Sequence, residues 1–173
     1  MEKLLGPNVV GLYNVCEAAV AAGVSRLILA SSVQVITGHR FHDRPVTLAD
    51  GPAPVNHYAL TKAWLELAGD MYARVHGLSV ISVRIGWYPR TTDDAKRLAA
   101  SQFGRDIFFS HDDAHRFFAR CVEAENPAPG MSVVLQATSR PTNTTRMDIS
   151  PAHEVIGYEP QDTFPEGLPF PTE

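Results

Sequence analysis

The chain has 173 residues, 45% of them apolar and 20% charged, with a net charge of −4 and an isoelectric point near 5.9. That is about one globular domain's worth of chain, and an acidic balance with no basic stripe argues against nucleic acid as a partner. Apolar runs such as VSRLILASSVQVI are too short and too interrupted to span a bilayer, and the N-terminus MEKLLGPN lacks the apolar core of a secretory signal.

Residues 8–22, NVVGLYNVCEAAVAA, are apolar at helical spacing, with Asn8 placed to cap the helix and Gly23 to close it. RLILAS (26–31) is a short apolar run bounded by serine, the pattern of a strand buried on both faces. Residues 33–56 hold Gly, Pro and Asp and read as a long loop, a feature that is usually functional in a compact domain. A second helix is expected over 57–76, ending at Gly77, and LSVISVRI (78–85) is the second buried strand. After a loop from Gly86 to Thr92, DDAKRLAASQ (93–102) reads as a helix. SHDDAHRFFARCVEAE (110–125) reads as another, with Ser110 as N-cap and acids in the first turn. SVVLQAT (132–138) is the third strand. The tail beyond 139 is proline-rich, with one short helix near 151–157.

Cys16 and Cys121 lie too far apart to suggest a disulfide framework, so a reducing cytoplasm is the expected setting. His111, His115 and His153 lack the HExxH pattern, and no metal site is expected.

Strands separated by helices imply an α/β fold with a parallel sheet and right-handed crossovers. Ligands in such sheets sit at the carboxyl ends of the strands. Ser31 and Ser32 end one strand, Gly86 and Trp87 follow the next, and Tyr58 and Lys62 begin the helix between them. On that helix Tyr58 and Lys62 are four residues apart and share a face. A phenol ordinarily gives up its proton near ~10. A neighbouring ammonium favours the phenolate, and a bound cationic nicotinamide ring would favour it further. Ser32, at the facing strand end, would hold a substrate oxygen against Tyr58. The set suits removal of a proton from a secondary alcohol while a hydride leaves its carbon. The bland alternative is a packed tyrosine ring and a lysine whose stem covers apolar surface.

The pieces NVVGLYNVCEAA, RLILASSVQV, HYALTKAWLE, ISVRIG and SHDDAHRFFARCVEA run in one order over most of residues 6–138. In that order they resemble the extended short-chain dehydrogenase/reductases, the NAD-dependent epimerase/dehydratases. The resemblance implies a Rossmann-like fold in which Tyr58 is the general base. Lys62 would be its partner and also bind the nicotinamide ribose, and Ser32 would donate to the substrate oxygen. Asn8 would help a water relay protons from the lysine, or would be a simple helix cap. Ser31, Ile85 and Gly86 would join Tyr58 and Lys62 around the cofactor. GPNVVGLYNVCEAA, VRIG, SHDDAHRFFARC and IGYEPQD are similar to the uronate dehydrogenases, which oxidise the C1 hydroxyl of hexuronic acids with NAD. That likeness implies a sugar or sugar-acid substrate. Arg97 would grip its carboxylate, a task suited to bidentate pairing, or would be a solvated helix arginine.

Two departures fall on the substrate side. Val33 stands where that group has asparagine, and Trp87 where it has a small polar residue; these point to a different substrate or an impaired site. Trp87 would either stack on a sugar ring or fill a gap. A sugar-nucleotide epimerase or dehydratase and a non-catalytic remnant of the fold are the alternative readings.

No GxxGxxG or GxGxxG occurs in the 173 residues, so the turn that cradles a pyrophosphate is not among them. The expectation is a fragment, a mis-called start or a truncated product. It would comprise the C-terminal half of a nucleotide-binding domain over 1–139 and a substrate-side tail over 140–173. NAD is the expected cofactor, with NADP as a second candidate; its binding is expected to be weak, and the first strand would present an apolar edge. The resemblance also implies a homodimer through helices 8–22 and 57–76, with Leu65, Met71 and Val75 serving either that interface or the core.

Overall fold

Three strands, β1 (Arg26–Ser32), β2 (Ser79–Ile85) and β3 (Ser132–Ala137), form one parallel sheet in the order β1-β2-β3. The computed structural model describes residues 2–39 and 44–170. The helices are α1 (Glu2–Leu5), α2 (Gly11–Ala21), α3 (His57–His76), α4 (Thr92–Ala99), α5 (Gln102–Asp106), α6 (His111–Glu123) and α7 (Ser150–Ile156). A π-helical turn, Gly6–Val10, joins α1 to α2. The α/β class, the three strands and their parallel order agree with the expectation from sequence.

The chain divides into two compact units. One contains Met1–His39, Gly51–Arg84 and Glu125–Leu135, and the other Arg40–Asp50, Ile85–Ala124 and Gln136–Glu173. In the first, Leu12, Cys16 and Ala19 of α2 pack with Leu27 and Leu29 of β1, with Leu65, Ala68 and Tyr72 of α3, and with Val80 of β2. Gly69 lets α3 lie close to the sheet, since a Cβ there would stand 3.0 Å from Leu29 and 3.1 Å from Val80. In the second unit an aromatic core forms around Phe117. Its ring meets Phe109 edge-on at 6.0 Å and Tyr158 at 4.7 Å between centroids. The Tyr158 hydroxyl donates to the Thr138 carbonyl at 2.9 Å.

Several local expectations are corrected. Helix begins at Glu2, so Asn8 is not an N-cap but lies inside the π turn. There Gly11 N–H reaches back five residues to the Gly6 carbonyl, a wider step that accommodates Pro7, which has no N–H. The helix running Lys3–Ala21 is 19 residues long and, by length and composition alone, apolar enough to cross a membrane. The sequence reading did not foresee a run of that length.

β1 is not buried on both faces. Leu27 and Leu29 are buried while Ile28 is half-buried and Ala30 exposed, as befits the edge strand of the described sheet. The segment read as one loop over 33–56 contains short 3-10 turns at Val33–Ile36 and Leu48–Asp50; its residues 40–43 lie outside the described residues. The helix expected over 93–102 is broken at Ser101, whose extended backbone and hydroxyl cap α5 through Gly104 N–H. Leu65 belongs to the core, whereas Met71 and Val75 are exposed.

Candidate active site

The carboxyl end of β1 delivers Ser31 and Ser32. Ser32 remains extended, and its Oγ accepts from Gln34 N–H at 3.2 Å, capping the Val33–Ile36 turn. Gln34 also takes a bond from Asn56 Nδ2 at 3.1 Å, and Asn56 is the N-cap of α3, accepting from Ala59 N–H at 2.9 Å. One polar chain thus runs from Ser32 to the start of the helix that carries Tyr58 and Lys62.

Tyr58 is 36% exposed. One turn on, Lys62 Nζ stands 5.7 Å from the Tyr58 ring centroid and donates to the Ala30 carbonyl at 2.7 Å. Burial holds the Lys62 ammonium below its ordinary pKa of 10.5. Asn8 reaches the same helix from the π turn, donating from Nδ2 to Thr61 Oγ1 at 3.0 Å, and Thr61 donates to the Tyr58 carbonyl at 2.8 Å.

Ser31, expected beside the cofactor, directs its hydroxyl instead to Glu66 Oε1 at 2.6 Å, and the serine is 3% exposed. Glu66 in turn takes a two-pronged contact from Arg84, Nε to Oε1 at 2.9 Å and Nη2 to Oε2 at 2.8 Å. Sequence reading missed both partners. The available signal was Arg84 itself, a charge inside the apolar run SVISVRI, which burial obliges to find a counter-ion. Val33 is buried at 5% exposure, so its side chain packs the turn and presents little surface to a ligand.

In the second unit, Gly86 follows β2 and donates to the Ala137 carbonyl at 2.9 Å. A Cβ on Gly86 would lie 2.3 Å from the Ile107 carbonyl oxygen, so only glycine fits. Trp87 bridges to Phe108, and its half-buried ring lies against Gly104, whose missing Cβ would sit 3.1 Å from ring carbons. The ring thus occupies the space left by the absent Gly104 side chain. Arg97 lies on α4 with its side chain 69% exposed and paired to Asp94 three residues back. Ile85 lines an apolar cavity of about 350 Å³ with Tyr88, Phe109, Ala114, His115 and Phe118. Among the described residues no cluster of His, Cys, Asp or Glu could hold a metal.

Residues 1–88 match the model of the NAD dependent epimerase/dehydratase family. The chain is 31% identical to L-arabinose 1-dehydrogenase (NAD(P)(+)) of Haloferax volcanii, over 90% of this chain and 66% of that protein. It is 29% identical to uronate dehydrogenase of Pseudomonas putida, over 94% of this chain and 56% of that protein. Among solved structures, a mutant uronate dehydrogenase from Agrobacterium tumefaciens complexed with NAD superposes with a TM-score of 0.71 at 27% identity, covering 90% of this chain and 54% of that one. The chain thus spans between half and two thirds of the length of the relatives it matches. With the family model covering half of it, and with relatives of the kind that the motif order implied, the chain belongs to the NAD dependent epimerase/dehydratase family.

Proposed function

We propose that this chain carries the proton-transfer half of an NAD-dependent oxidoreductase acting on a sugar or sugar acid, with NADP as a second candidate cofactor. The observation that carries the reading is the placement of Lys62 Nζ beside the Tyr58 ring and on the Ala30 carbonyl, at the strand end that bears Ser32. The named activities of the relatives, on L-arabinose and on uronates, supply the substrate class.

The donor set suits the cofactor. Lys62 has three N–H donors and spends one on Ala30, which leaves donors for ribose hydroxyls. NAD, when bound, supplies the hydride acceptor. Tyr58 takes the proton from the substrate hydroxyl, and Lys62 sets positive charge beside the ring that must carry negative charge during that transfer. Ser32 Oγ accepts from Gln34 N–H, so its own proton is available to the substrate oxygen. Asn8 orients the helix turn between them through Thr61. Cys16 and Cys121 are buried thiols, in keeping with a reducing cytoplasm.

The test is NADH formation from aldoses and hexuronic acids at saturating NAD. Turnover that falls by a factor of about 100 or more in Tyr58→Phe supports the assignment. Equal turnover by Tyr58→Phe, or none by the parent with any of these sugars, refutes it. NAD affinity measured calorimetrically on the same 173-residue chain is expected to be weaker than micromolar, because no glycine-rich turn is present in it.

A further inference from the structure

Ser31, Glu66 and Arg84 make a closed polar cluster that the proton-transfer chemistry does not use. All three are buried, at 3%, 7% and 3% exposure. Glu66 is one helical turn beyond Lys62, and Ser31 is the residue between Ala30 and Ser32. The end of β1 is therefore gripped twice from one face of α3: at the Ala30 carbonyl by Lys62 and at the Ser31 hydroxyl by Glu66. Arg84, from β2, locks the Glu66 carboxylate with two parallel bonds and so fixes its rotation.

Stability alone is a poor account of this cluster. Apolar side chains of similar volume would fill the space without desolvating two charges, an exchange that is often neutral or favourable. Arg84 Nη1 is buried with no acceptor among the described residues, a cost that a purely cohesive arrangement would not carry. What the ionic cluster adds over an apolar one is direction.

We propose that Glu66, Arg84 and Ser31 are positioning residues that hold the carboxyl end of β1, and with it Ser32 and the Ala30 carbonyl, in register with the turn of α3 that carries Lys62. The consequence for turnover rests on the reading of Tyr58, Lys62 and Ser32 as the reacting set. The positioning itself does not, and it is tested without turnover.

The sequence contains three lysines, Lys3, Lys62 and Lys96, and the two others are exposed internal references. Trace acetylation across a pH series, read by mass spectrometry, gives a titration midpoint for each. In the parent, Lys62 is held low by burial. If the cluster keeps the strand end seated over it, loosening the seat admits water and the midpoint climbs back toward 10.5. The variant is Glu66→Leu/Arg84→Met, which removes both charges together and leaves no unpaired buried charge, the Ser31 hydroxyl alone losing its acceptor. Its expected result is an upward shift of Lys62 by about half a unit or more, with Lys3 and Lys96 unmoved. A folded double variant with the parental Lys62 midpoint overturns the proposal. Should the double variant not fold, Ser31→Ala decides. It removes one hydrogen bond and leaves the ion pair intact, and an unmoved midpoint there overturns the proposal equally. Failure to oxidise any sugar would sink the enzymatic reading and leave this result standing.

Discussion

Lys62 reaches from the second turn of α3 to the backbone carbonyl of Ala30, 2.7 Å away, on the last stretch of an edge strand. The contact places a cation where burial opposes it, so the placement on which the proposed proton transfer depends should cost stability.

The sign of that cost fixes its pH dependence. The folded-state pKa of Lys62 lies below its unfolded value of 10.5. Between the two, the unfolded chain binds more protons, and stability rises with pH. The penalty is therefore fully present at neutral pH and fades as pH approaches 10.5. Lys62→Met should raise the melting temperature at pH 7, and the gain over the parent should shrink steadily up to pH 10 or so. Thermal unfolding of the two proteins at five or six pH values checks this; a gain independent of pH would show that the lysine's charge is not the cause.

Arg84→Met is expected to be far more damaging than the double replacement. Alone, it strands the Glu66 carboxylate, whose side chain is 5% exposed, a change that costs about 3–5 kcal/mol. Glu66→Leu/Arg84→Met removes both charges and should return to within about 1 kcal/mol of the parent. Urea denaturation of the single and double variants measures the difference directly. Equal losses would mean that packing, not charge, dominates at this site.

What the sequence disclosed follows the range of the forces involved. α3 was legible to its ends because its signals are local: the Asn56 side chain caps Ala59 N–H, and Gly77 adopts a φ of 73° that closes the last turn. Ser110 behaves likewise at the start of α6. Asn8 carries the residue type of an N-cap and so marks a helix start in the sequence, whereas a π turn takes in Gly6 to Val10 and helix extends back to Glu2. Tyr58 and Lys62 were visible because they share one helix face. The Ser31–Glu66–Arg84 cluster was not, because its members come from three separate elements and only tertiary packing unites them. The commitment of Ser31 to that cluster is likewise invisible from its place beside Ser32.

Gly86→Ala should destabilise the chain by about 1–3 kcal/mol. The added methyl would stand 2.3 Å from the Ile107 carbonyl oxygen and 2.9 Å from Thr138 Cγ2. The first is backbone in the segment that pairs with Trp87, so it cannot swing aside as a side chain would. Urea denaturation gives the magnitude; a loss under about 0.5 kcal/mol would mean that the backbone there yields easily.

The exposed face of α3 carries Leu60, Trp64, Leu67, Met71 and Val75, at intervals of three and four residues. Leu67 is 70% and Val75 63% exposed. On α2 Tyr13 and Val15 are likewise exposed. A continuous apolar stripe along a helix 20 residues long is more than isolated surface residues account for. We read it as the surface that meets a second copy of the chain, helix against helix. Leu67 lies at the middle of the stripe and makes no contribution to the described core, so Leu67→Glu should leave the fold intact. It should weaken self-association by a factor of about 10 or more, since a charge would be buried without a partner. Light scattering across a concentration series distinguishes the cases. The parent should give twice the chain mass and Leu67→Glu a single chain, with unchanged circular dichroism. A parent that stays at the mass of one chain would remove the dimer from this reading.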